Sequence, residues 1–284
     1  MIVSTISATP AWRRSPAPVA SAAINAMVFP SNVSGSDTAA PYSVLQYLDP
    51  DVNGLPPLGP GDAGITFIWR VKYRPQTGYH VLFWYGRGDG TIDPPSSHLY
   101  FGAHPYPQSA NNTGTTHYWE VAGEAADALN NQNASPVAVT KDTYFRQALR
   151  VTNNAGAADL RFWIDLDNVS NATRIDHTLS STYVANIPTD CRIIIGDSPW
   201  YASYQHERLG GSLAEYMIIA KSMSEADIIT QGQNLQSLNT TDSTNNIWYG
   251  KKSWDTVDDL TCDFGTGRSF TRVDASSLLS VEAV

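Results

Sequence analysis

Cysteine is nearly absent: Cys191 and Cys262 are the two in 284 residues. That is too few for a disulfide-stapled scaffold, and their spacing leaves open whether they bridge each other. No Cys-x-x-Cys pair occurs, which excludes a zinc-knuckle spacing. Charge is also scarce, at 16% of residues, and the formal net charge is −9. An acidic chain repels phosphates, so no nucleic-acid partner is expected. The basic cluster Arg70, Lys72 and Arg74 alternates along one strand and reads as a solvated outer face. No window of 18 apolar residues occurs, so no membrane span is expected. Met1-Ile-Val is followed by polar residues, Trp12, Arg13-Arg14 and a Pro/Ala-rich stretch from Ser15 to Ala26. An apolar run behind a basic one is missing, so no export signal is expected. The Asn-x-Ser/Thr triplets at Asn32, Asn111, Asn133, Asn168, Asn171 and Asn239 then read as polar loop markers. Two catalytic signatures are missing as well. There is no Gly-x-Ser-x-Gly elbow and no Walker loop, and Gly86 to Gly90 is too short to cradle phosphates.

What the chain does have is turn formers and aromatics: Gly 20, Pro 17 and 11% Phe, Trp and Tyr. This favours short strands and loops over long helices. Residues 1–35 read as an arm, with at most a turn or two of helix from Ser21 to Val28 before Pro30. Tyr42 to Leu48 reads as a first strand and Asp49 to Gly64 as a loop. Ile65, Phe67, Trp69, Val71 and Tyr73 share one face of the clearest strand, with Thr66, Arg70 and Lys72 on the other. Ile68 breaks that alternation. Pro75 to Gly78 reads as a turn and Tyr79 to Tyr85 as the returning strand. The Arg87-Gly88-Asp89 tripeptide that follows reads as turn chemistry. Short strands are expected at His98 to Gly102 and Tyr118 to Val121, and a loop from Ala122 to Pro136. Phe145, Gln147, Leu149 and Val151 alternate, as do Leu160, Phe162, Ile164 and Leu166. Asn153-Asn-Ala-Gly156 joins the two as a hairpin. In the tail, Ile247 to Tyr249 and Arg268 to Val273 are strand-like. The tail either adds strands or docks on a partner.

Cys191-Arg-Ile-Ile-Ile-Gly196 leads through Pro199-Trp-Tyr-Ala-Ser-Tyr204 to the Gly-led strand Gly210 to Ala220, then to Ser222-Met-Ser-Glu-Ala-Asp-Ile-Ile229. This order resembles the closing segment of laminin-G-like, concanavalin A-like sandwich domains. In those, a strand ending in Ile-Gly precedes a variable loop, a Gly-led strand and a helix opening with Ser-x-x-Glu. The hairpin phrases Ala148-Leu-Arg-Val151 and Leu160-Arg-Phe-Trp-Ile-Asp165 resemble the same family. The resemblance implies an all-β fold, a concanavalin A-like jelly-roll β-sandwich. Its bounds are an N-terminal arm (1–35), the sandwich (36–238) and a partly stranded C-terminal extension (239–284). One fold hosts many functions, so function needs its own argument.

Glucanases of this superfamily carry Glu-x-Asp-x-Glu on one strand face. The nearest phrase here, Trp163-Ile-Asp165-Leu-Asp167, has no glutamate and reads as a strand end with turn-forming aspartates. No enzyme is therefore expected. The alternative, a glycoside hydrolase or polysaccharide lyase, would rest on Asp165 or Asp167. The resemblance also implies a place for a rim Ca²⁺, with Asp89, Asp93 and Asp197 as loop oxygen donors; no other cofactor is expected. Loop aromatics point to sugar binding, because sugar C–H faces stack on aromatic planes. The candidates are Tyr106, Trp119, Trp200, Tyr201 and Tyr204, with Asp197 and His206 as polar flanks. Loop packing against the sandwich or a protein interface uses the same residue types. An adhesion-type fold with an acidic surface, a Pro/Ala arm and no export signal looks like a bacteriophage structural protein. The expectation is a non-enzymatic virion surface protein, a capsid decoration or tail adhesin that binds host glycans. It would be a homo-oligomer held to other virion proteins through arm and tail. A stand-alone carbohydrate-binding module is the alternative.

Overall fold

Alternation in the sequence becomes two antiparallel sheets. The computed structural model describes residues 23–30, 45–47, 64–74, 83–86, 100–107, 116–122, 136–138, 142–154, 157–169, 174–179, 192–196, 209–219, 221–237, 247–261, 263, 269–272 and 279–284. The eight-stranded sheet runs in the order β10 (Arg174–Leu179), β9 (Ala157–Trp163), β8 (Phe145–Asn154), β3 (Gly64–Tyr73), β12 (Gly211–Ile219), β1 (Asn25–Phe29) and β15 (Ser280–Ala283), with β13 (Ile247–Lys251) also on β12. The seven-stranded sheet runs β14 (Thr271–Arg272), β2 (Leu45–Tyr47), β11 (Arg192–Ile195), β4 (Phe83–Gly86), β5 (Tyr100–Pro107), β6 (Thr116–Ala122) and β7 (Pro136–Ala138). The expected hairpin of β8 and β9 is present. The segment after β3 is not its returning partner: β4 lies in the other sheet, and β3 instead pairs with β8 and β12.

Both ends of the chain add strands to the sandwich. Asn25–Phe29, inside the stretch expected to be an arm or a helical turn, is a strand between β12 and β15. Ala26, Met27, Val28 and Phe29 are all buried there, and burying four apolar side chains in a sheet outweighs any weak local helix preference. The tail supplies β13 and β15 to one sheet and β14 to the other.

The interior face of the eight-stranded sheet buries Trp69 and Phe162, whose rings stack at 6.1 Å. One amide joins this layer. Gln147 is fully buried and accepts from Trp69 Nε1 and from the Tyr73 hydroxyl, each at 2.9 Å. Its own amide donates to the Ile164 carbonyl at 3.1 Å. Burial pushes the Tyr73 hydroxyl far above its ordinary range, so it stays a neutral donor.

The outer face of the same sheet is covered by a helix, α1 (Glu225–Gln233). This explains Ile68. Together with Ala148, Trp163, Leu166 and Met217 it forms a second apolar cluster under Met223, Ile228 and Leu235. The helix cap is Ser224, whose hydroxyl accepts from Asp227 N at 3.1 Å. The resemblance pointed to Ser222, two residues too early; Ser222 bonds Thr152 instead. Buried Thr66 holds the approach to the helix, donating to Lys221 O and accepting from Met223 N. Two glycines of the closing segment have clear geometric reasons. Gly196 has φ 101°, a left-handed conformation that glycine adopts freely. A Cβ on Gly211 would lie 2.1 Å from the Lys72 carbonyl oxygen.

Beside the helix, Arg161 meets Asp176 at 2.7 Å and Glu225 at 3.2 Å, and Arg174 shares both acids. At the far end of the sheet, Glu282 of β15 accepts from Lys72 and Arg74, each at 2.6 Å, and from the Tyr144 hydroxyl at 2.8 Å. Two of the three cations of the basic cluster, Lys72 and Arg74, therefore share one carboxylate within the chain. Partial burial works against the Glu282 charge, but Lys72, Tyr144 and Arg74 outweigh it and hold the carboxyl at about 2. In the tail, buried Lys251 places Nζ 2.8 Å from Asp259 and 3.5 Å from Asp263 and donates to the Thr261 carbonyl at 2.7 Å.

Three predictions follow from these contacts. Gln147→Leu removes the amide oxygen that accepts from the buried Trp69 and Tyr73 donors, and is expected to lower stability in urea unfolding by on the order of 2 kcal/mol. Lys251→Met leaves two partly exposed carboxylates without their cation, and should cost about 2 kcal/mol by the same measurement, less than a fully buried pair would. The folded pKa of Glu282 is depressed, so its contribution is present above 4.5 and lost as pH falls toward about 2. A plot of stability against pH should be flatter in that window for Glu282→Gln than for wild type. Equal slopes would contradict the role given to Glu282.

Candidate functional site

Which face of the seven-stranded sheet is turned toward the core follows from register. Directly paired residues share a face, as do residues two apart on one strand. Ile195 is fully buried and pairs with Leu45 and Phe83; Phe83 pairs with Ala103, and Ala103 with Val121. Phe270 precedes Thr271, which pairs with Gln46, so Phe270 alternates onto the Ile195 face. Its ring meets Tyr216, from the interior of the other sheet, edge-on at 6.1 Å. The Ile195 face is therefore the sandwich interior.

The opposite face of this sheet is its outer face, and its register positions form rows across the strands. Ile194, Trp84, Gly102 and Ala122 make one row. On one side of that row, His104 is paired with Glu120, and the next pair along is Tyr106 with Tyr118. On its other side, Tyr100 pairs with Gly86, which pairs with Arg192. The register positions of this outer face thus include Trp84, Tyr100, Tyr106 and Tyr118 and the paired positions His104 and Glu120. The opposite positions of the same strands carry Phe83, Tyr85, Phe101, Ala103, Pro105, His117, Trp119, Val121 and Ile193.

The sugar-binding candidates divide accordingly. Tyr106 falls on the outer face. Trp119 is paired with Pro105 and takes a register position on the other face. Asp197, Trp200, Tyr201, Tyr204 and His206 lie outside the described residues, as do Asp89 and Asp93. Trp84, Tyr100, His104 and Glu120 take positions on the outer face without being singled out by the sequence. Their alternation is visible within each strand, but their grouping needs the pairing of β4, β5 and β6.

The carboxylates of the alternative catalytic reading are both occupied. β9 ends at Trp163. Beyond it, Asp165 accepts from Asp167 N at 3.0 Å, a turn closed by an aspartate side chain. Asp167 meets Arg146 at 3.3 Å. Among the described residues no three His, Cys, Asp or Glu come together as a metal site. No described helix is long and apolar enough to cross a membrane.

No protein-family model matches the chain, and no curated protein matches it. Solved structures do. A native heptameric SAP-like pentraxin from Limulus polyphemus is 12% identical with a TM-score of 0.51, covering 93% of this chain and 97% of that one. A Bacteroides ovatus protein described as carbohydrate-binding is also 12% identical with a TM-score of 0.51, over 92% of this chain. This chain spans 60% of that protein. At such identity the likeness is one of fold. Together with the two antiparallel sheets, it establishes an all-β, concanavalin A-like jelly-roll β-sandwich.

Proposed function

We propose that the chain is a non-enzymatic glycan-binding protein acting at a virion surface, as a capsid decoration or tail adhesin. The observation that carries the binding half is the outer face of the seven-stranded sheet. Four aromatic positions, Trp84, Tyr100, Tyr106 and Tyr118, share it with His104 and Glu120. Aromatic planes match the C–H faces of sugar rings, and neighbouring polar groups match hydroxyls. The fold shared with the Bacteroides protein is compatible with this reading. The virion setting rests on the sequence: a Pro/Ala-rich leading stretch and an acidic chain on an adhesion-type fold.

The binding half is tested by a glycan array followed by calorimetry on the best ligand. Wild type is expected to bind at least one oligosaccharide class. Tyr106→Ala should weaken that binding roughly tenfold, ~1.4 kcal/mol. No binding across the array at millimolar ligand would end the glycan reading. Density-gradient fractionation of source material tests the setting: the chain should co-migrate with nucleic-acid-containing particles, and its recovery only as free protein would remove the virion role.

A further inference from the structure

β15 is the last strand of the eight-stranded sheet, and β1 is its strand partner. Beyond their paired residues, Val284 N donates to Ile24 O at 2.9 Å. Along an antiparallel strand the backbone groups turn alternately to one neighbour and to the other. Glu282 and Ser280 therefore turn their N–H and C=O to β1, while Val281 and Ala283 turn theirs away from it. Asn25, paired with Ala283, fits this parity. Its N–H goes to the Ser253 hydroxyl and its carbonyl to Trp254 N, away from β15. Among the described residues nothing bonds the outward groups of Val281 and Ala283, and Ser280 and Ala283 are exposed. The other sheet edges are guarded against pairing. β10 carries the charged Arg174 and Asp176. In the seven-stranded sheet β7 opens with Pro136, and β14 is two residues long. β15 has no proline and no lysine, and Lys72 and Arg74 already hold its one charge, Glu282.

We infer that β15 is a self-pairing edge: two copies of this chain join β15 to β15, antiparallel about a two-fold axis at Val281, so that their eight-stranded sheets become one. The inference is independent of glycan binding. A second copy is the occupant because β15 complements itself in this register. Val281 pairs with Val281 of the other copy, and its outward N–H and C=O are exchanged within that pair. Ser280 then stands opposite Glu282 of the other copy, and Glu282 opposite Ser280. A hydroxyl donor meets a carboxylate twice, once on each side of the axis. An axis at Glu282 would instead set two carboxylates directly against each other. The net −9 of each copy opposes the approach, so the contact belongs at about 0.15 M salt, where exposed charges more than ~8 Å apart are screened.

The experiment follows the full chain by analytical ultracentrifugation from about 1 to about 500 µM, with amide hydrogen exchange at both ends of that range. A monomer–dimer equilibrium is expected. The Val281 and Ala283 amides should exchange freely in the monomer and several-fold more slowly at the high concentration, while those of Ser280 and Glu282 stay protected in both. Val281→Pro and Ala283→Pro remove outward N–H groups that β1 does not use. Each should weaken the dimer at least roughly tenfold, with its thermal unfolding midpoint close to that of wild type. The exchange measurement needs no variant, so a proline that misfolds does not decide the result. A wild type that stays monomeric at about 500 µM overturns the inference. So does a dimer whose Val281 and Ala283 amides exchange as fast as in the monomer, or one that survives both folded proline variants. Slow exchange of these two amides in the monomer also overturns it, because another part of the chain would then cover the edge.

Discussion

Strand register is the constraint on which every assignment in this molecule depends. Side chains alternate with a period of two, so a slip of one residue exchanges the faces of a whole strand. In the seven-stranded sheet, a slip of β5 against β4 would carry Phe101 and Ala103 outward and His104 and Tyr106 into the core. Burial resists this. Ile195 is fully enclosed, and Phe270 reaches across to Tyr216. The glycines around β11 and β12 help fix where pairing starts. Gly196 turns the chain out of β11, and Leu209 N returns to its carbonyl at 2.8 Å before β12 begins. Gly211 then lets β12 approach the Lys72 backbone more closely than any side chain would permit.

The buried polar groups are handled in different ways. Gln147 is saturated by neutral partners, which avoids desolvating a charge. Lys251 keeps a charge inside by gathering two carboxylates and a carbonyl from a loop within its own tail. Glu215, fully buried at a bulge in β12, is held by Gln236 and lies 3.7 Å from Arg146. Each binds segments distant in sequence or stiffens a segment with little apolar surface of its own. The tail is the clearest case. Trp254 N donates to Asn25 O, and Asn25 N to the Ser253 hydroxyl, so the tail and β1 hold each other in place.

Much of the sandwich was legible because a half-buried strand writes its faces into alternation. β3, β8 and β9 were readable in this way, whereas β11 and β12 came from the order of pieces that resembles sandwich domains. The failures share a cause. Ile68 looked like an error in a two-face pattern because the helix covering it lies far along the chain. Asn25–Phe29 is short and follows a Pro/Ala-rich stretch; only its neighbours β12 and β15 make it a strand. Ser222 and Ser224 both offer a helix cap, and Thr152 decides between them by engaging the first. The candidate site follows the same logic. Tyr106 and Trp119 looked equivalent as loop aromatics, and cross-strand pairing puts them at positions on opposite faces. Pairing is long-range information that no local pattern carries.

β1 and β15 are neighbours and antiparallel, with Asn25 paired to Ala283 and Val28 to Ser280. The two ends of the described chain therefore leave the sheet at the same end of one strand pair. This gives the fold a mechanical character. A force drawn between residues 23 and 284 would not load the bonds of this pair together, as a shearing pull would. It would open them in sequence from Ala283 inward, like a zipper. An attachment made through both ends would yield by peeling β15 first, while β12, β3 and β8 and the face beyond them stayed folded.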